Sequence, residues 1–160
     1  MGDARRFDIF ADIIAEKFPD YRKARIADVA AGKGYLQAAL RQRGFREIVS
    51  WDRRKSFAGP RSIYRYGLFD HRTSENFDLV VGMHPDEATD HIVTYGRKRK
   101  IPWIVCPCCV RPSAAEFGSG ANDYWRWLAH LRTIGGGPAR VKTLTIPIRG
   151  RNVVLVGECA

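Results

Sequence analysis

What this chain of 160 residues lacks narrows its class first. No apolar run approaches the ~18 residues that a bilayer span requires. The opening Met1-Gly2-Asp3-Ala4-Arg5-Arg6 leads into an amphipathic stretch instead of an apolar h-region, so no secretory signal is read and the cytoplasm is the expected location. Cysteine is scarce: there are four, three of them crowded into Cys106-Pro107-Cys108-Cys109, which is no disulfide framework. Acidic side chains are also in short supply, 17 against 27 Lys+Arg, leaving a net charge of +10. That excess attracts polyanions at long range, and nucleic acid is the partner it favours. Repeats and low-complexity tracts are missing. A hydrophobic content of 45% with 28% charge excludes a disordered chain and fits one folded domain over 1–160.

The apolar pattern alternates between helical and extended periods. Phe7, Phe10, Ile14 and Phe18 share a helical face that Pro19 terminates, and this N-terminal helix within 1–20 is expected to pack on or cap the site. A strand follows over Arg25 to Ala30, then a helix with Tyr35, Leu36, Ala39 and Leu40 that ends at Gly44. Further strands are expected at Glu47 to Trp51, Ser62 to Tyr66, Phe77 to Gly82 and Trp103 to Cys106, with a helix from about Asp86 to Tyr95 before the last of these. The run Phe77-Asp78-Leu79-Val80-Val81-Gly82 is almost continuously apolar, as befits a parallel strand covered on both faces. Pro112 to Gly120 reads as a loop and Asn122 to Thr133 as a helix. Val141 to Ile148 and Asn152 to Gly157 are joined by a turn at Arg149-Gly150, too short for a crossover, so that pair is an antiparallel hairpin. Strands alternating with helices and connecting loops predict an α/β, doubly wound, mostly parallel sheet with right-handed crossovers.

The most informative segment is Asp28-Val29-Ala30-Ala31-Gly32-Lys33-Gly34, with Asp52 at the tip of the next strand. A strand running into a glycine turn that opens a helix, with a carboxylate one strand later, is the layout of a nucleoside site. The turn lets backbone approach the ligand, and the carboxylate accepts from ribose hydroxyls. A dinucleotide fingerprint needs glycine at position 37, where this chain has Gln37.

The pattern acidic-x-x-x-G-x-G resembles that of S-adenosylmethionine (SAM) dependent methyltransferases, with Ala30 where their first glycine stands. A doubly wound sheet closed by a C-terminal hairpin resembles the class I fold of that superfamily over almost the whole chain. The resemblance implies a Rossmann-like seven-stranded sheet in the order 3-2-1-4-5-7-6. A narrower resemblance is to a subgroup with a G-K-G-x-L turn (Gly32 to Leu36), an H-x-x-x-x-T-D-like segment (His84 to Asp90) and a P-C-C segment (Pro107-Cys108-Cys109). That subgroup includes the glutathione S-transferase C-terminal-domain-containing protein and is similar to enzymes that methylate tRNA.

In such a sheet the ligand lies outside the carboxyl ends of the strands. Asp28, Ala30, Ala31, Gly32 and Gly34 are therefore expected at the cofactor, S-adenosylmethionine. Asp52 would serve as ribose ligand, Arg53 would lie beside the adenine, Asp70 would accept from its amine with Leu68 or Phe69 against the ring, and Met83 joins the same set. Asp28 either braces the turn or accepts from the cofactor ammonium. His84 and Asp86 are the candidate catalytic residues, since a neutral imidazole can take a proton from the nucleophile; Asp86 and Glu87 equally suit the start of a helix. Arg53, Arg54, Lys55, Arg111, Arg149 and Arg151 follow strand ends or sit in the hairpin turn and are expected to contact substrate phosphates. Arg97-Lys98-Arg99-Lys100 ends a helix on the far side and matches its dipole. Cys-x-Cys-Cys lacks the paired spacing of structural zinc, so a metal-independent transfer is expected.

RNA, tRNA or rRNA, is the first substrate expectation. No lysine follows the fourth or fifth strand to complete the tetrad of many ribose methyltransferases, and a partner protein can supply RNA recognition. A small-molecule methyltransferase and a non-catalytic SAM-binding or RNA-binding subunit remain as alternatives. The chain is expected to be a monomer or homodimer without a membrane.

Overall fold

A computed structural model describes residues 2–55, 63–110, 117–118 and 120–159. The strands are β1 (Arg25–Val29), β2 (Glu47–Asp52), β3 (Tyr64–Tyr66), β4 (Leu79–Met83), β5 (Trp103–Cys106), β6 (Val141–Thr145) and β7 (Val153–Gly157). The helices are α1 (Arg6–Lys17), α2 (Tyr35–Gln42), α3 (Thr89–Arg99) and α4 (Ala121–Ile134). The seven strands form one sheet in the order β3-β2-β1-β4-β5-β7-β6. Pairs up to β5 are parallel, whereas β7 inserts antiparallel between β5 and β6. The α/β class, the strand order and the closing hairpin agree with the sequence reading. Ser62, the expected start of β3, and most of the 112–120 loop lie outside the described residues.

Alternation along the central strands divides the core into two layers. Leu79, Val81 and Met83 of β4, Ile104 and Cys106 of β5, and Val154 and Val156 of β7 pack with Phe10 and Ile14 of α1 and Leu36 and Leu40 of α2. The alternate residues Val80, Val105, Val153 and Leu155 pack with Ile92 and Val93 of α3 and Trp127, Leu128 and Leu131 of α4. Strands apolar on both faces can be buried only between two helical layers, which is why these runs read as parallel strands. The winding reverses between β1 and β4, and the C-terminal ends of those strands diverge there into a crevice.

One expected boundary shifts for a local reason. Asp86–Ala88 forms a 3-10 turn before α3 starts at Thr89, and the Thr89 hydroxyl donates to the Asp86 carbonyl at 2.8 Å. Pro19 does end α1, and a further 3-10 turn follows over Pro19–Tyr21.

Trp103 keys the far end of the sheet. Its indole is 2% exposed and nests where Gly96 of α3, Gly135 at the end of α4 and Gly157 of β7 offer no side chain. A Cβ at Gly157 would stand 2.1 Å from the Trp103 ring, and one at Gly96 2.3 Å. Gly157→Ala is therefore expected to destabilise the fold by about 1–3 kcal/mol through overpacking. Chemical denaturation checks this, and an unchanged midpoint would show that the ring can withdraw.

Candidate functional site

At the β1/β4 reversal lies an open cleft bounded by Val29 and Ala30, by Trp51 to Arg54, by Gly67 to Phe69 and by Pro85 to Ala88. Its walls thus come from the segments that follow β1, β2, β3 and β4.

The glycine turn is fixed from below. Ala31 N–H donates to the Trp51 carbonyl at 2.9 Å, and Gly32 N–H donates to Asp52 Oδ2 at 2.7 Å. Ala30 stands at φ 56°, Gly32 at 56° and Gly34 at 78°, so the turn uses left-handed backbone three times. At Ala30 this costs on the order of 1–2 kcal/mol that glycine would not incur. Ala30 thus holds a backbone conformation that favours glycine while carrying a methyl into the lining of the cleft.

Asp52 is 3% exposed at the cleft wall. Besides Gly32 it accepts from Arg54 N at 2.8 Å and from the Arg54 guanidinium at 3.0 and 3.1 Å. Burial pushes its pKa up, but the Arg54 contacts and the Gly32 N–H outweigh burial and hold it below the ordinary carboxylate value. Asp28, beneath the turn, has the opposite fate. It is 1% exposed, accepts from Ser50 Oγ at 3.1 Å, and burial raises its pKa to about 7, with Asp52 adding to the rise. The amide of Gln37 lies within hydrogen-bonding distance of Ser50 Oγ and the Ile48 and Ile63 carbonyls, at 3.1 to 3.2 Å, tying α2 to β2. Asp28 is not among the residues that line the cleft, and its side-chain partner is the Ser50 hydroxyl on β2.

The other expected residues are distributed unevenly. Ala30, Asp52, Arg53, Arg54 and Asp86 border the cleft, with Leu68 and Phe69. Arg53 reaches across to Glu87, 2.6 Å between guanidinium and carboxylate, linking the end of β2 to the turn after β4. Met83 is instead buried in the layer beneath α1 and α2. Asp70 is not among the residues that line the cleft: the Arg72 fork holds its carboxylate well below the usual range and stands within 3.1 Å of it. Lys55 is exposed but not among the residues that line the cleft, Arg149 and Arg151 are exposed in the β6–β7 turn, and Arg111 lies outside the described residues. Cys159 closes on the Lys100 carbonyl, at the sheet edge opposite Cys106.

His84 and Asp86 both adopt left-handed backbone, φ 55° and 48°, around Pro85. His84 Nε2 is 3.1 Å from the Arg151 carbonyl. A carbonyl only accepts, so Nε2 carries the proton and Nδ1 is the basic nitrogen. Burial lowers the His84 pKa, with nearby Arg6 assisting, which leaves the ring neutral at pH 7. The Asp86 carboxylate turns sideways to the Cys108 and Cys109 thiols, 2.9 and 3.1 Å away. Burial, then the bond to Asp86, pushes the Cys108 thiol up, while burial alone raises Cys106 to about 12. Trp51 and the Arg53–Glu87 bridge had no motif in the sequence to announce them.

The chain is similar in fold to several solved proteins. It matches DesVI of Streptomyces venezuelae at 14% identity and TM-score 0.63, covering 98% of this chain and 93% of that one. The methyltransferase domain of bacterial CtHen1-CN matches at 12% identity and TM-score 0.61, covering 94% and 98%. CalO1, a methyltransferase in calicheamicin biosynthesis in its SAH-bound form, matches at 19% identity and TM-score 0.56; the chain spans 54% of its length and 98% of its own. No protein-family model matches the chain, and no curated protein does. Among the described residues no helix is long and apolar enough to cross a membrane.

Asp28 supplies a test of this electrostatic picture. Its folded pKa, about 7, lies above the ordinary 3.8, so the stability it contributes is complete below about pH 4 and is lost as pH rises to about 7. Melting temperatures of wild type and Asp28→Asn across that window should diverge accordingly, with wild type losing ground as pH increases. A constant difference from pH 4 to 7 would mean that Asp28 is ionised in the fold.

Proposed function

We propose that the chain is an S-adenosylmethionine-dependent methyltransferase. The observation that carries this reading is the cleft at the β1/β4 reversal, bordered by left-handed Ala30 at the start of the glycine turn and by the buried Asp52 that accepts from Gly32 N–H. The donor set fits the cofactor. Asp52 would face a ribose diol, Leu68 and Phe69 would meet a base, and left-handed Ala30 brings turn backbone to the cleft. SAH in CalO1, on the same fold, supports it. When bound, the cofactor supplies an electrophilic sulfonium methyl, and the chemistry of transfer is its own.

The chain's residues then position and deprotonate. Asp52 would accept from the ribose hydroxyls, with Arg54 giving up part of its hold on the carboxylate. His84, neutral and with Nδ1 as its basic nitrogen, is the residue to take the proton from the nucleophile, and the turn through Pro85 and Asp86 orients the substrate. RNA is the substrate class we favour. The net charge of +10, exposed Lys55, Arg149 and Arg151, and Trp125 standing 60% exposed near the start of α4 together offer phosphate and stacking contacts. A partner protein supplying part of the recognition is compatible with so small a domain. A small-molecule substrate is the second reading, favoured by the commitment of Arg53 to Glu87 and of Arg54 to Asp52, which withdraws two cations from the expected phosphate patch.

Calorimetry with SAM tests the cofactor. Wild type should bind, and Asp52→Ala should lose about 1.5–3 kcal/mol, roughly 10- to 150-fold, with its fold confirmed by circular dichroism. No binding by wild type would end the cofactor assignment, and unchanged affinity in the variant would end the role of Asp52.

Methyl-tritiated SAM incubated with total RNA and, separately, with a metabolite extract tests the substrate. Label should enter RNA, and RNA affinity should fall steeply with salt. Label confined to the metabolite fraction favours the second reading, and label in neither indicates a non-catalytic subunit.

A further inference from the structure

Cys108 and Cys109 follow β5, whereas Asp86 follows β4, and no sequence spacing joins them. The strands are in parallel register with Met83 opposite Cys106, so the two following turns emerge side by side. The left-handed backbone at His84 and Asp86 then swings the Asp86 carboxylate toward β5. Across from it, the Tyr124 hydroxyl donates to the Pro107 carbonyl at 3.1 Å and fixes the start of the cysteine turn. Both thiols approach the same oxygen, Asp86 Oδ1, at 2.9 and 3.1 Å, and their sulfurs stand 3.3 Å apart. Those separations match ordinary N–H···O bonds although sulfur is the larger atom, so three donor atoms converge closely on one point.

We propose that Asp86, Cys108 and Cys109 form a binding site for a thiophilic divalent cation of the zinc class. Two thiolates and one carboxylate are a ligand set that borderline-soft cations prefer. Sulfurs bound to zinc at about 2.3 Å in a tetrahedron stand about 3.8 Å apart, so the observed 3.3 Å needs to open by only a few tenths of an ångström per atom. On binding, both S–H bonds break, two metal–sulfur bonds form, and the two protons pass to buffer; no oxidation state changes. Three protein ligands leave a coordination position for water or for a thiol, hydroxyl or amine of a molecule in the cleft, which Asp86 also lines. This departs from the expectation of a metal-free site, which considered the cysteines without the carboxylate. A second cluster, Asp70, His71 and His91, is the weaker candidate because the Arg72 fork already occupies its carboxylate.

The proposal stands on donor geometry and does not depend on the methyltransferase reading. Its test is titration of the reduced, chelator-treated full chain with Co²⁺, monitored by thiolate-to-cobalt charge-transfer absorption. Wild type should saturate at one equivalent and lose the band to Zn²⁺. Cys108→Ser and Cys109→Ser should each lose most of the absorption, and Asp86→Asn should bind about tenfold or more weakly. Cys106→Ser and Cys159→Ser should match wild type. No band in wild type, or a band that survives in both Cys108→Ser and Cys109→Ser, overturns the site. Should a variant fail to fold, peptide mapping of alkylated wild type decides. Zn²⁺ should protect Cys108 and Cys109 while leaving the exposed Cys159 reactive, and equal labelling with and without Zn²⁺ overturns the proposal.

Discussion

The hydrogen bond from Gly32 N–H to the Asp52 carboxylate, 2.7 Å long, is the contact on which the site depends. It joins the turn after β1 to the end of β2 at the mouth of the crevice where the sheet reverses direction. With the neighbouring bond from Ala31 N–H to the Trp51 carbonyl, it fixes a backbone that passes through left-handed conformations at Ala30, Gly32 and Gly34. Strain of this kind persists only where the surroundings over-determine it. Here the determinants are a β-strand terminus and a buried carboxylate, and the cost at Ala30 is borne by the clamp that those two provide.

Two carboxylates lie close together beneath this turn, and their environments push them in opposite directions. Asp52 has the Arg54 fork and two N–H donors, which outweigh its burial. Asp28 has the Ser50 hydroxyl and the Gln37 backbone N–H to set against complete burial, to which the nearby Asp52 charge adds, so its protonated form is favoured up to about pH 7. Separation of two neighbouring titrations by environment is how a fold assigns different duties to chemically similar groups. The charged member is available to a ligand at the cleft wall, and the neutral one serves as structure.

Much of this arrangement was legible because strong periodic signals coincide with what the sheet requires. The near-continuous apolar run of β4 could be buried only between two helical layers, and the short Arg149-Gly150 turn forced β6 and β7 to be antiparallel. Asp52 was legible from its distance to the turn, since strand and helix lengths fix where the next strand ends. Met83 and Asp70 were placed with the cofactor because they follow strands. The alternation of β4 sends Met83 into the layer beneath α1 and α2, and an arginine two residues on captures Asp70.

What stayed hidden depends on register and on handedness of single residues. Asp86 reads in sequence as a helix-start carboxylate, and its own φ of 48° takes it away from that duty. The partner it finds instead follows a different strand, so neither the His84-to-Asp90 segment nor the cysteine run contains the contact. The same reasoning applies to charge. Counting arginines after strand ends predicted a basic rim, yet Arg53 and Arg54 are paired with Glu87 and Asp52 and line the cleft. An arginine held by a carboxylate contributes geometry more than field, so attraction of a polyanion to this face rests on the cations that the cleft has not recruited, Lys55, Arg149 and Arg151. Net charge therefore describes the partner that the whole surface attracts, whereas the paired residues describe the ligand that the cleft can hold, and in this fold the two are separable by mutation.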